Sequence, residues 1–176
     1  MSFWSSSCSG ARRTAKESAL SGIPSGRFAQ AAGNPSEVHS WLARATDLGA
    51  VSIGVEASSI DPMQAELCGI SLALAPNEAC YVPLAHRKSG DGGSGGLFEG
   101  GLAPDQIEER TALDILRPLL ENPGVLKVGH NIKFAWQMFS LRGIETTSYD
   151  DVMLQSYVLD AGRSNQVPDH RLGRGD

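Results

Sequence analysis

The chain has 176 residues, 41% of them apolar and 6% aromatic, with a formal net charge of −5. That length suits one domain around a single core. The acidic balance gives the molecule no basic field for holding nucleic acid unless a local groove supplies one. Cys8, Cys68 and Cys80 form no paired metal-ligand spacing, which reads as a reduced, cytoplasmic protein. No apolar run reaches the roughly 18 residues of a membrane span, and Met1 to Arg13 has no apolar stretch like that of a signal peptide.

Residues 1–33 are rich in Ser, Ala, Gly and Arg without a sustained period, and are expected to form a disordered arm. A domain is expected over residues 34–165 and an irregular tail over 166–176. The group Asn34-Pro35-Ser36 offers a helix start. Val38, Trp41, Leu42 and Ala45 then recur at helical spacing up to a stop at Gly49. Ala50 to Glu56 is a nearly continuous apolar run, the pattern of a strand buried on both faces. Leu67 to Leu74 and Cys80 to Leu84 read as two more strands joined by a turn at Pro76-Asn77-Glu78.

The pattern then changes to alternation. Asp105 to Leu120 carries Ala112, Leu113, Leu116, Leu119 and Leu120 on one helical stripe, with a kink or break expected near Pro118. Val125 to Val128 is a short buried strand. Asn131 to Leu141 is a helix with Ile132, Ala135, Trp136 and Phe139 on its core stripe, and Asp151 to Leu159 is another, capped by Asp150. A three-strand meander followed by βαβα defines an α/β fold with a mixed sheet and flanking helices. Between the third strand and the long helix, Ser89 to Gly101 holds seven glycines in thirteen residues. Its Gly90-Asp91-Gly92-Gly93-Ser94-Gly95 matches a dinucleotide-binding spacing but opens no helix, so a flexible surface loop is the expectation.

Ligands of open α/β sheets gather at the carboxyl ends of the strands. There the sequence places Glu56 and, at the start of the next helix, His130-Asn131. A helix start presents N–H groups and a positive dipole end suited to a phosphate oxygen.

Two segments resemble a known family. Ser52-Ile53-Gly54-Val55-Glu56-Ala57-Ser58-Ser59-Ile60-Asp61 resembles the first motif of the 3′–5′ proofreading exonuclease domain of bacterial DNA polymerase I, an apolar strand running into Asp-Thr-Glu-Thr. Val128-Gly129-His130-Asn131-Ile132-Lys133-Phe134-Ala135 resembles its second, Val-Gly-Gln-Asn-(Ile/Leu)-Lys-Tyr-Asp. Tyr81 to His86, Leu116 to Glu121 and Tyr149 to Leu154 also read like that family, so the resemblance covers about residues 36–165.

It implies a ribonuclease H-like sheet with Ala50–Glu56 central. It also implies a two-metal (Mg²⁺) hydrolysis of a terminal phosphodiester, and a DNA 3′ end or a polymerase body as partner. Residue by residue, Glu56 is the retained carboxylate and weak metal ligand, while Gly54 and Ala135 stand where the family has Asp. Asn131 is kept as a substrate-binding residue, and His130 replaces the preceding Gln. A third motif is not found before Asp176, so the resemblance implies a degenerate, C-terminally truncated domain with lost or severely reduced nuclease activity.

Two alternatives stand beside that expectation. One is a working nuclease that recruits Asp61, Asp150 or Asp151 as substitute ligands, although a turn and a cap explain those residues. The other is a non-catalytic module for single-stranded nucleic acid or a polymerase, using His130, Lys133 and Trp136, although Trp136 fits the core better. His39 and His86 read as ordinary surface histidines. Apolar surface left uncovered near the first strand and the Asn131–Leu141 helix would favour self-association.

Overall fold

A computed structural model describes residues 29–86 and 104–160. In chain order its elements are β1 (Ala29–Ala31), α1 (Pro35–Leu48), β2 (Ala50–Ala57), β3 (Leu67–Ala75) and β4 (Glu78–Pro83), then α2 (Glu109–Leu120), β5 (Leu126–Gly129), α3 (Ile132–Ser140), β6 (Tyr149–Asp151) and α4 (Val152–Leu159). The strands lie in the order β1-β4-β3-β2-β5-β6. The β2–β3 and β3–β4 pairs are antiparallel, and β1–β4, β2–β5 and β5–β6 are parallel. The expected mixed sheet, with β2 between the meander and β5, is the observed one.

Local chemistry explains the first helix. Asn34 is extended and its side chain accepts the Glu37 N–H at 3.0 Å, with Pro35 at the first helical position, where no N–H is needed. Gly49 closes α1 with φ of 74°, a left-handed turn that only glycine adopts without strain, and its N–H reaches the Ala45 and Thr46 carbonyls. The expected stripes on α1 and α2 are buried residue for residue.

The crossovers β2-to-β5 and β5-to-β6 step the same way along the sheet. Right-handed connections therefore put α2 and α3 on one face. There α1, α2 and α3 share one apolar core with Val51, Ile53, Ile70, Leu72 and Val82.

Five details depart from the sequence expectation. The arm expected over 1–33 gives way at Ala29, where β1 pairs with the edge of β4 and the Ala32 N–H donates to the Tyr81 carbonyl at 2.8 Å. An edge strand of Ala-Gln-Ala has no period to read, because the bonds of β4 specify it rather than its own side chains. Residues 1–28, the glycine-rich Ser89–Gly101 and the tail 166–176 lie outside the described residues. Secondly, β2 is covered on one face only: Val51 and Ile53 are buried while Ser52 and Glu56 are exposed. Thirdly, α2 begins at Glu109 rather than Asp105, since Gln106 is held by the His86 backbone (2.6 and 2.9 Å) and stays outside the helix. It also runs through Pro118 to Leu120, because Leu119 and Leu120 are locked in the core.

The fourth departure is Trp136. Met138 takes the place in the core that the spacing assigns to Trp136, which is 37% exposed. The fifth is the cap of α4: Asp151, not Asp150, accepts the Met153 N–H, and Tyr149 to Asp151 pair as a strand.

Two buried polar groups belong to the fold alone. Lys127 lies in the interior and donates from Nζ to the carbonyls of Asn122 and Val125, both at 2.8 Å. Burial lowers its pKa. Cys80 is buried in β4, and desolvation pushes its thiol from 9.0 up to about 12. Between those values the unfolded chain releases the thiol proton while the folded chain keeps it. The thiol's contribution to stability is therefore complete below pH 9 and falls as pH rises toward 12. Three pH units at roughly 1.4 kcal/mol each give a loss on the order of 4 kcal/mol at most. Urea titrations of wild type and Cys80→Ala across that range check this. The wild type should lose stability steeply, and the variant, less stable at neutral pH, should show a flatter dependence.

Candidate functional site

β2 and β5 are parallel neighbours with Ala50–Ser52 paired to Leu126–Val128, so both point their carboxyl ends the same way and β2 runs on past the end of β5. Glu56 is exposed near the end of β2, and Gly54, two residues earlier, lies on the same uncovered face by strand alternation. Gly54 pairs with Ser71 and Glu56 with Gly69 on β3. A Cβ at Gly54 would meet Ser71 Oγ at 2.7 Å, a contact that rotation of one hydroxyl relieves.

Beside Glu56 the uncovered face holds a pair, Tyr81 and His86, to which the sequence alone assigns no role. Tyr81 lies against Gly69 so closely that a Cβ there would overlap the phenol. Tyr81 Oη is 2.8 Å from His86 Nε2. His86 is half-buried, not the surface histidine expected, and Gln106 clamps its backbone. Desolvation lowers its pKa, and the nearby Glu56 charge acts in the opposite direction. The one available signal in the sequence is the Tyr81-Val82-Pro83-Leu84-Ala85-His86 segment itself.

At the end of β5 the side chains of His130 and Asn131 are exposed, and Asn131 sits in the left-handed region with φ of 54°. The helix start they open is not available to a phosphate. Asp151, brought opposite Gly129 by the β5–β6 register, accepts the N–H groups of Asn131 at 3.0 Å and Ile132 at 3.1 Å. It also accepts the Met153 N–H at 2.9 Å. One buried carboxylate thus caps two helices, and no periodic pattern in the sequence signals it.

The remaining acids considered as substitute ligands are similarly engaged. Asp61 accepts the Met63 N–H at 3.0 Å and the Gln64 amide at 3.1 Å, as a turn residue does. Asp150 accepts the Asp151 N–H at 2.9 Å and the Gln155 amide at 2.6 Å. Ala135 is buried on α3 in the core. Among the described residues no group of three or more His, Cys, Asp or Glu side chains could hold a metal ion.

A mixed sheet with this strand order, and an acid near the carboxyl end of its central strand, is the ribonuclease H-like exonuclease architecture. Solved structures agree on the fold. The apo form of a nuclease superposes over 81% of this chain and 55% of its own with a TM-score of 0.52 at 19% identity. Escherichia coli RNase D covers 79% of this chain and 30% of its own, with a TM-score of 0.52 at 14% identity.

Residues 30–173 match the model of the 3′–5′ exonuclease family found in A-type DNA polymerases, and the chain belongs to that family. It is 48% identical over 131 residues to DNA polymerase I of Rhizobium leguminosarum, and 37% identical over 128 residues to that of Pseudomonas aeruginosa. In each case the match covers 69% of this chain and 12% of the relative.

Proposed function

We propose that this chain is a 3′–5′ exonuclease domain of DNA polymerase I type that keeps the fold of its family and has lost the nuclease activity. The observation that carries the reading is the donor set. Of the positions that the family resemblance places at the site, Glu56 alone carries a carboxylate, Gly54 and Ala135 offer no side-chain oxygen, and Asp61, Asp150 and Asp151 each accept the chain's own N–H groups. Two divalent cations about 4 Å apart need several anionic oxygens around them. These residues do not fit a Mg²⁺ pair.

Charge argues against a pure nucleic-acid-binding module as the main role. The chain is net −5. Of the six described Lys and Arg side chains, Arg44, Arg117 and Arg142 each pair with a glutamate and Lys127 is buried, which leaves Arg110 and Lys133 as exposed cations outside those pairs. The partners that fit the family, a DNA 3′ end and a polymerase body, remain the proposed ones, with recognition resting on exposed His130 and Asn131.

Metal binding tests the reading directly. Titration with Mn²⁺, followed by the spin-resonance signal of the free ion, should show no site tighter than about millimolar. A tighter site that disappears in Glu56→Gln would show that the oxygens needed are present and would overturn the reading.

A further inference from the structure

Asn131 is unusual for a residue that opens a helix. Such a residue normally has extended backbone and turns its own side-chain oxygen onto the first N–H groups of the helix. Here φ is 54° and ψ 49°, in the left-handed region, and the carboxamide makes no capping bond. Asp151, twenty residues on, does the capping instead. Its two oxygens accept the N–H groups of Asn131 and Ile132 at 3.0 and 3.1 Å. A left-handed residue followed by a helical one turns successive N–H groups toward one point, where an anion settles. The carboxylate and the left-handed backbone therefore depend on each other. Glycine would adopt this backbone without strain, so the backbone alone does not call for asparagine. Asn131 is exposed, and its carboxamide is left free of the helix it opens. It also leaves the sheet beside the site. Gly129, two residues earlier, packs on β2 so closely that a Cβ there would lie 3.1 Å from the Ile53 carbonyl, next in the chain to Gly54.

We infer that Asp151 is a positioning residue: by holding Asn131 left-handed it fixes the carboxamide through which the site recognises a nucleotide. The inference rests on the DNA 3′ end proposed above as partner. A strained backbone persists only where its surroundings impose it, and such residues cluster at binding sites. Asp151 is what imposes it here. A carboxamide carries one acceptor oxygen and two donor hydrogens, so its use to a ligand depends on where it is aimed. Backbone held in place before binding spares the complex the entropy of ordering it. Asp151 touches no ligand in this role and acts through Asn131 alone.

Two readouts together test this. In NMR spectra a positive φ brings a residue's own amide and α protons close and gives a strong cross-peak between them. Wild type should show it at Asn131, and Asp151→Asn, whose amide nitrogen cannot accept, should weaken it. Leu154→Gly, at an exposed position, loosens α4 without touching the carboxylate and should leave the cross-peak intact. Affinity is read from the anisotropy of a short 5′-labelled single-stranded DNA at low salt. Asn131→Gly keeps the left-handed backbone and loses the carboxamide. It should bind roughly tenfold more weakly than wild type, the worth of one well-placed hydrogen bond. Asp151→Asn should lose part of that affinity, and adding it to Asn131→Gly should cost nothing further. Leu154→Gly should bind like wild type. A left-handed Asn131 unchanged in Asp151→Asn, or an equal loss of affinity in Leu154→Gly, would overturn the positioning role. A strand bound equally by wild type and Asn131→Gly would overturn the inference while leaving DNA as the partner. A wild-type chain that does not bind the strand would contradict the DNA partner itself, and the inference with it.

Discussion

Asp151→Ala is expected to lower the unfolding free energy by about 3 to 4 kcal/mol. The Asp151 carboxylate is buried and accepts three backbone N–H groups, from Asn131, Ile132 and Met153. Alanine strands all three where water reaches them poorly. Each such donor costs on the order of 1 to 3 kcal/mol, with the more accessible ones at the low end. Two helices lose their N-terminal cap in one substitution. Because α4 buries no side chain of its own, this cap is a main tie between α4 and the sheet. Denaturant midpoints measure the total, and amide exchange should show α4 opening first. Asp151→Asn, which keeps one acceptor oxygen, should lose roughly half as much. An Asp151→Ala protein as stable as wild type would show that the carboxylate does not hold these helices.

Much of this fold is legible in the sequence because its elements carry their own period. The stripe Ala112, Leu113, Leu116, Leu119 and Leu120 announces its burial through helical spacing alone, and the apolar run through β2 marks a strand, while its central place follows from the family resemblance and only one of its faces is covered. The edge strands are not legible. Ala29–Ala31 and Tyr149–Asp151 are short and exist through bonds to β4 and β5, which no local pattern reports. Trp136 is misplaced by its spacing for a related reason. Ile132, Ala135 and Phe139 fix the buried face of α3, but a helix turned slightly about its axis exchanges Trp136 for Met138 without breaking that spacing.

The site divides in the same way. Resemblance alone locates Glu56, Gly54 and Ala135, and the structure puts Glu56 on an open face and Ala135 in the core. The helix start at Asn131 reads as a phosphate cradle because free N–H groups are the usual state of such ends. Its occupant, Asp151, lies twenty residues away along the chain and arrives only through the β5–β6 pairing. The Tyr81–His86 pair beside Glu56 depends on Gly69 leaving room for a ring, which is a property of three strands in register.

On our proposal, the family's fold persists here without its chemistry. Removing a single preorganised electrostatic group from an active site typically costs roughly 10²–10³-fold in rate, and here most of an anionic set is missing or engaged elsewhere. The losses are larger still when the groups hold the metals on which both water activation and leaving-group stabilisation depend. The decisive measurement is degradation of a 3′-labelled single-stranded DNA by the purified chain with Mg²⁺ or Mn²⁺, run beside Glu56→Gln. Neither protein should shorten the strand faster than buffer with metal alone. Shortening from the 3′ end by the wild-type chain, abolished in Glu56→Gln, would contradict the proposal.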